Sequence, residues 1–211
     1  MNGAVKVSLV FAALLAGCAL PGSRALVAPL ASAAEQPRLE FTDVTAWQWS
    51  TEDGVGCLEL LGPSHYQPPF RSPLALALVR DADFEDFTMR VRARQTGREY
   101  AHRDLVFVFA YRDAAHFAYA HLATKGDDNA HHVMLVDGAD RRPVTTARTE
   151  GVAWGDGWHD IEVRREGTHV KVFFDGGAPV LTAEVPEGAG RVGIGSFDDT
   201  GRFRSLRVVR P

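Results

Sequence analysis

Along residues 39–211 apolar and polar positions alternate in short runs, recurring every 10 to 15 residues with turn residues between them and no stretch of helical period. The run Phe87-Thr88-Met89-Arg90-Val91-Arg92-Ala93-Arg94 shows the pattern plainly. Its apolar residues take one face, while Thr88 and three arginines take the other, which predicts a strand with one face in water. Similar runs predict strands at 74–80, 104–111, 117–123, 131–136, 160–165, 170–174, 191–197 and 203–209. Asp137-Gly138, Glu166-Gly167 and Asp175-Gly176-Gly177 lie at the joints, where glycine takes a positive φ without steric cost and so suits tight hairpins. The pattern predicts an all-β antiparallel sandwich or barrel.

Two stretches carry a resemblance. Trp158-His159-Asp160-Ile161-Glu162-Val163-Arg164-Arg165-Glu166-Gly167, followed by Val170-Lys171-Val172-Phe173-Phe174-Asp175-Gly176, resembles the hairpin of concanavalin-like and laminin-G-like sandwiches. Gly193 to Asp199 with Phe203 to Val208 resembles their closing strands. Within that group the chain is most similar to the 3-keto-disaccharide hydrolase type of domain, through Phe84-Glu85-Asp86-Phe87, Tyr111-Arg112-Asp113 before Phe117-Ala118-Tyr119-Ala120-His121, and Gly195-Ser196-Phe197-Asp198-Asp199. The resemblance implies a concanavalin-like jelly-roll sandwich with a role in carbohydrate binding or processing. It supplies no catalytic residues that match one by one, and such folds host many functions.

The first residues change the picture of where the protein works. Residues 7–20 are uncharged and apolar, preceded by Lys6, and too short to cross a bilayer as a helix. Leu15-Ala16-Gly17-Cys18 resembles the lipobox of bacterial lipoproteins, which implies cleavage before Cys18 and acylation of that cysteine. The competing reading is an ordinary secretory peptide cut after Ala31-Ser32-Ala33, but that point lies more than ten residues beyond the apolar run. Residues 1–17 are thus expected as signal peptide, 18–38 as acylated cysteine and Pro/Ser/Ala-rich tether, and 39–211 as the sandwich domain. Several acyl chains anchor stably, at about 0.8 kcal/mol per buried methylene, so the membrane is a partner through lipid alone. Ala19, in place of an aspartate, implies the outer membrane under the same resemblance.

The second cysteine, Cys57, sits among apolar neighbours and reads as a small buried hydrophobe. Without residues 1–17 the chain keeps 22 Lys and Arg against 27 Asp and Glu, a net charge of −5, which argues against nucleic acid as a partner.

Candidate chemistry concentrates in the histidines. Four of the eight, His116, His121, His131 and His132, fall within seventeen residues. On a strand through 117–122, Tyr119 and His121 share a face opposite Ala118 and Ala120. A hairpin would then bring either His131 or His132, not both, to the same face. Tyr119 and His121 are the candidate catalytic pair, since imidazole titrates near neutral pH. Arg103, Asp104, Asn129, His131, His132 and Arg141 are the candidate substrate-binding groups around them. The opposing account is that these histidines only satisfy one another and the loop carboxylates.

No metal ligand set is assigned: there is no HExxH and no cysteine pair, and adjacent His131 and His132 diverge on a strand. No cofactor is assigned; Asp127, Asp128, Asp198 and Asp199 offer loop oxygens without EF-hand spacing and are the candidates for a structural calcium. The paired-carboxylate strand of laminarinase-like retaining glycosidases is missing, as is a Gly-x-Ser-x-Gly elbow. Asp160 and Glu162 alternate with Ile161 and Val163, as a solvent-facing strand edge does. Trp47 and Trp158 are expected in the core rather than on a sugar platform.

The expected function is an anchored, exported glycan-binding or glycan-processing domain; an enzyme of this kind would be a glycoside hydrolase or lyase. The alternative is a non-catalytic envelope scaffold or protein-binding sandwich. Acylation is directly testable: on detergent partitioning the wild type should enter the detergent phase and Cys18→Ser the aqueous phase. Equal retention of both in the detergent phase would refute the lipobox reading.

Overall fold

The computed structural model describes residues 25–211; the expected signal segment and the expected acylation site Cys18 lie outside the described residues. Sixteen strands follow one another: Leu26–Ala28 (β1), Leu39–Phe41 (β2), Trp47–Glu52 (β3), Val55–Leu60 (β4), Ala75–Val79 (β5), Phe87–Gln95 (β6), Asp104–Asp113 (β7), His116–Ala123 (β8), His132–Asp137 (β9), Arg142–Pro143 (β10), Thr145–Arg148 (β11), His159–Glu166 (β12), His169–Phe174 (β13), Leu181–Glu184 (β14), Arg191–Ser196 (β15) and Gly201–Val209 (β16). They form two antiparallel sheets. One runs β11-β14-β13-β12-β6-β16-β4-β3 with β1 added beside β16, and the other runs β10-β9-β8-β7-β15-β5-β2. The expected sandwich is the observed architecture, and the predicted strands are present with ends within a few residues.

The sheets share one core. Phe87, Met89, Val91 and Ala93 point inward from β6, as their alternation demands, and meet Leu105, Phe107 and Phe109 of β7 and Ala118, Ala120 and Leu122 of β8. The outward residues of β6 stay wet and are ion-paired. Arg90 reaches Glu162 at 2.6 Å and Arg92 reaches Asp160 at 3.2 Å, while Arg94 pairs with Glu52. These arginines form a solvated strand face laced with acids.

The seven-stranded sheet is also buried on its outer face. Leu76 and Leu78 of β5, Val106 and Val108 of β7, Phe117 and Tyr119 of β8, and Met134 and Val136 of β9 form a second apolar cluster there, packed under Phe70 and Phe197. Gly193 and Gly195 of β15 make room for it. A Cβ on Gly195 would collide with the Ala75 carbonyl and lie 2.8 Å from Leu76 Cδ2. The cover is the segment 61–74, clipped down where Arg71 N–H donates to Asp140 Oδ1 at 2.8 Å and Arg141 N–H donates to the Arg71 carbonyl at 3.1 Å.

Two expectations are corrected. Residues from 26 onward do not act as a free tether: β1 pairs antiparallel with β16, Leu30 is fully buried, and Ser205 N–H donates to the Pro29 carbonyl at 2.8 Å. Leu26 and Leu30 supply apolar area that the proline and alanine content of the segment masks. Trp158 is only half-buried; its indole donates to Glu52 at 2.9 Å and Arg204 stacks on it at 3.9 Å. The core tryptophans are Trp47 and Trp154, the latter donating to the Leu122 carbonyl at 3.2 Å.

These packings set the cost of truncation. Trp154→Ala and Val172→Ala should each destabilise by about 2 to 5 kcal/mol, because both side chains are fully enclosed. Trp158→Ala should cost about 1 kcal/mol, the loss of one hydrogen bond and a surface stacking contact. Urea denaturation of the three variants checks the ranking, and a Trp158→Ala loss equal to that of Trp154→Ala would contradict it.

Candidate functional site

At one end of the outer face the covering segment stops short of the sheet and leaves a cleft of about 360 Å³. Its lining comes from five places: Arg71 and Leu74 of the cover, Tyr100, His102 and Asp104 before and at the start of β7, His121 on β8 with Asn129 in the loop after it, Arg141 before β10, and Phe197 and Asp198 after β15. The strand alternation that buries Ala118 and Ala120 between the sheets is what turns Tyr119 and His121 outward to this side.

His121 sits at the base, 3 % exposed. Its Nε2 lies 2.8 Å from Asp104 Oδ2, at an angle too oblique for a hydrogen bond, and its Nδ1 has no partner. A buried ring with both nitrogens unpaired costs free energy unless something supplied from the cleft completes it. Asp104 is held in place on its other side by the Ser196 hydroxyl, which donates to Oδ1 at 2.9 Å, and its backbone N–H donates to Asp199 Oδ2 at 2.7 Å. Burial pushes the Asp199 carboxyl up to about 6; the Asp104 N–H and the Tyr100 hydroxyl, both hydrogen-bonded to it, pull the other way, and the nearby Asp104 charge adds to the rise. Burial likewise raises the Tyr100 phenol, with the Asp199 charge reinforcing the effect. Phe197 stands beside the His121 ring at 5.6 Å between centroids, and the Arg141 guanidinium stacks on Phe197 at 4.3 Å. A row therefore runs from Arg141 across Phe197 to His121 and Asp104.

The structure brings together five of the eight residues expected at the site: His121, Asp104, Asn129 and Arg141 line the cleft, and Tyr119 lies directly beneath. Tyr119 is fully buried, and its hydroxyl accepts from Arg141 Nη1 at 3.2 Å, so it props the arginine instead of meeting a ligand. Burial raises its phenol. Arg103 is turned away. Its guanidinium donates to Gln95 Oε1 and the Gln95 carbonyl at 3.0 Å each and pairs with Glu99, because alternation sends neighbours 103 and 104 to opposite sides.

His132 is directly opposite His121 in the β8–β9 register and shares its face. It is nonetheless held outside the cleft lining, with Nδ1 and Nε2 at 3.0 Å from Thr145 Oγ1 and 2.9 Å from the Asp127 carbonyl. His131 precedes the strand in a left-handed conformation, φ 57°, uncommon for a residue with a Cβ. It is fully buried with Nε2 at 3.0 Å from Thr149 Oγ1, and burial pulls its ring down to about 4, helped by the Arg148 charge.

Asp127 is occupied by its own loop: Oδ1 accepts from the N–H groups of Asn129 and Ala130, and Oδ2 lies 2.5 Å from His102 Nε2. Among the described residues no three His, Cys, Asp or Glu side chains converge as a cation site. Tyr100, Arg71 and Phe197 belong to the cleft without having stood out in the sequence. Each is a lone residue in a loop or at a strand end, and only the fold of the cover and the β15–β16 connection brings them to His121.

No family model matches the chain, and no curated protein matches it. Among solved structures it is similar to the carbohydrate-binding module CBM66 from Bacillus subtilis, with a TM-score of 0.56 at 13 % identity, covering 81 % of this chain and 94 % of that one. It is similar to lectin I-B4 from Griffonia simplicifolia, TM-score 0.53 at 16 % identity, over 88 % and 98 % of the two chains. A third similar structure is domain 4 of AbnA, an extracellular arabinanase from Geobacillus stearothermophilus in complex with arabinotriose, TM-score 0.51 at 11 % identity, covering 82 % and 81 %. At these identities the likeness establishes the concanavalin-like sandwich fold.

The shifted groups give opposite pH signatures. Asp199 binds its proton more tightly folded than unfolded, so the stability associated with it falls as pH rises from about 4 to about 6, by at most ~3 kcal/mol at 1.36 kcal/mol per unit. His131 binds its proton less tightly folded, so its contribution is present above about 6.5 and is lost as pH falls toward about 4. Urea denaturation between pH 4 and 7 should show Asp199→Asn gaining on the wild type as pH rises. His131→Gln should gain on it as pH falls. Parallel stability curves for wild type and Asp199→Asn would contradict the first assignment.

Proposed function

We propose that this chain is a glycan-binding or glycan-processing domain displayed from the cell envelope, with the cleft over His121 as its sugar site. The observation that carries the reading is the His121 ring: buried at the base of the cleft, both nitrogens unpaired, and flanked by a carboxylate, an amide, a guanidinium and aromatic faces. Sugars need this mixture, because their hydroxyls demand paired donors and acceptors while their C–H faces pack on rings such as Phe197 and Tyr100. The cleft volume of about 360 Å³ falls within the range of small-ligand sites, roughly 300 to 1,000 Å³. Supporting the reading, the similar structures named above include a carbohydrate-binding module, a lectin and an arabinanase domain in complex with arabinotriose.

The resemblance to the 3-keto-disaccharide hydrolase type of domain extends the proposal to glycoside cleavage. In that extension His121 carries the proton, with the Asp104 carboxylate 2.8 Å from its Nε2 at the base of the cleft. Tyr119 takes no part in the chemistry and acts by propping Arg141. Acylation of Cys18 would hold the domain at the outer membrane.

A glycan array with the full-length chain, followed by product analysis on each hit, tests the reading. His121→Ala should lower affinity or rate at least tenfold, about 1.4 kcal/mol, with an unchanged melting temperature. A fall of several degrees in melting temperature with ligand behaviour untouched would assign the histidine to the fold. Absence of binding to any glycan would leave a scaffold or protein-binding sandwich as the function.

A further inference from the structure

Several arginines of this sandwich are neutralised by acids. Arg90, Arg94, Arg191 and Arg202 each hold a glutamate. Arg71 and Arg141 at the cleft differ: neither guanidinium is ion-paired among the described residues, although the two chain segments are clipped to each other by the Arg141 N–H and the Arg71 carbonyl, 3.1 Å. Asp140, beside them, gives its Oδ1 to the Arg71 backbone N–H at 2.8 Å. Arg141 is fixed in direction by the Tyr119 hydroxyl and the Phe197 ring, and only one of its five N–H groups is used in these contacts. Two cations at one wall of a partly enclosed cleft repel each other unless an anion joins them.

The acids in the same cleft do not serve that purpose. Asp104 turns its oxygens to Ser196 and His121, at 2.9 and 2.8 Å, and Asp198 is exposed and makes no ion pair with Arg71 or Arg141. The cleft is thus polarised along its length, with guanidinium groups at one end, an aromatic face in the middle, and the unpaired imidazole with its carboxylate at the other.

We propose that the cleft takes a sugar bearing a carboxylate, a uronic acid residue, with the carboxylate on Arg71 and Arg141, the ring against Phe197, and hydroxyls toward His121 and Asp104. A planar guanidinium fork matches a planar carboxylate by paired N–H donors, which gives orientation as well as attraction. The inference rests on the sugar-binding reading above and narrows it to acidic glycans. It also accounts for an Arg141 that is anchored by neutral groups, a phenol and a phenyl ring: a protein carboxylate in that position would compete with the ligand.

Calorimetry with the full-length chain decides it, using trisaccharides of galacturonate, glucuronate and mannuronate and the same trisaccharides after reduction of the carboxyl to an alcohol. At least one uronate should bind ten times more tightly than its reduced counterpart, with the gap narrowing as salt is raised. Arg71→Gln, at an exposed position, should lower uronate affinity far more than reduced-sugar affinity and so remove most of that gap, with the melting temperature unchanged. Arg141→Gln should do the same, with a drop in melting temperature as the sign that its contact with Phe197 was also lost. Equal binding of acidic and reduced sugars, or an Arg71→Gln effect on both alike, overturns the inference and leaves the sugar site standing. If none of these probes binds, the inference falls, and the broad glycan array then shows whether the site reading falls with it.

Discussion

A sheet with apolar side chains on both faces cannot leave either in water, and the seven-stranded sheet is of this kind. Its inner face meets the other sheet. Its outer face, from Leu76 to Val136, has only loops to cover it, chiefly the segment 61–74 with Phe70 and the β15–β16 connection with Phe197. Burying each such side chain is worth about 1.5 to 3 kcal/mol, so the cover is part of the fold and not an ornament on it. Where the cover ends, the residues of the same face become polar, and the cleft is the consequence of that boundary.

The boundary explains the electrostatics as well. His121 and Asp104 lie at the last position where loops still exclude water, so the imidazole is enclosed without being hydrogen-bonded. Asp199 stands behind them, and burial favours its neutral form, while the Asp104 N–H fixes its orientation. A group in such surroundings responds to small changes in charge nearby, which is the property asked of proton-transfer and ligand-sensing sites. The opposite, nine-stranded sheet shows the contrast. Its outer Arg90, Arg92 and Arg202 each face a glutamate or aspartate and read as an ordinary solvated strand face.

The packing of residues 26–38 bears on how the domain could be presented. With β1 on β16 and Leu30 fully enclosed, the chain is packed on the sandwich from residue 26 onward.

How much of this was legible beforehand follows from the range of the interactions involved. Strand positions, the inward and outward residues of β6, and the shared outward face of Tyr119 and His121 all depend on a period of two along one chain, so the sequence alone determined them. It also limited the class to an antiparallel sandwich or barrel, through hairpins whose glycines adopt positive φ, and the resemblance to concanavalin-like sandwiches pointed to the former. The site was legible only where strand periodicity reached it. Tertiary structure decided that Tyr119 is a prop, that Arg103 faces Gln95 and Glu99, that Trp154 and not Trp158 fills the core, and that Tyr100, Arg71 and Phe197 join His121. These placements depend on which loop covers which sheet face. That choice is made by apolar burial between segments as far apart as Phe70, His121 and Phe197, for which no local pattern in the chain carries a signal.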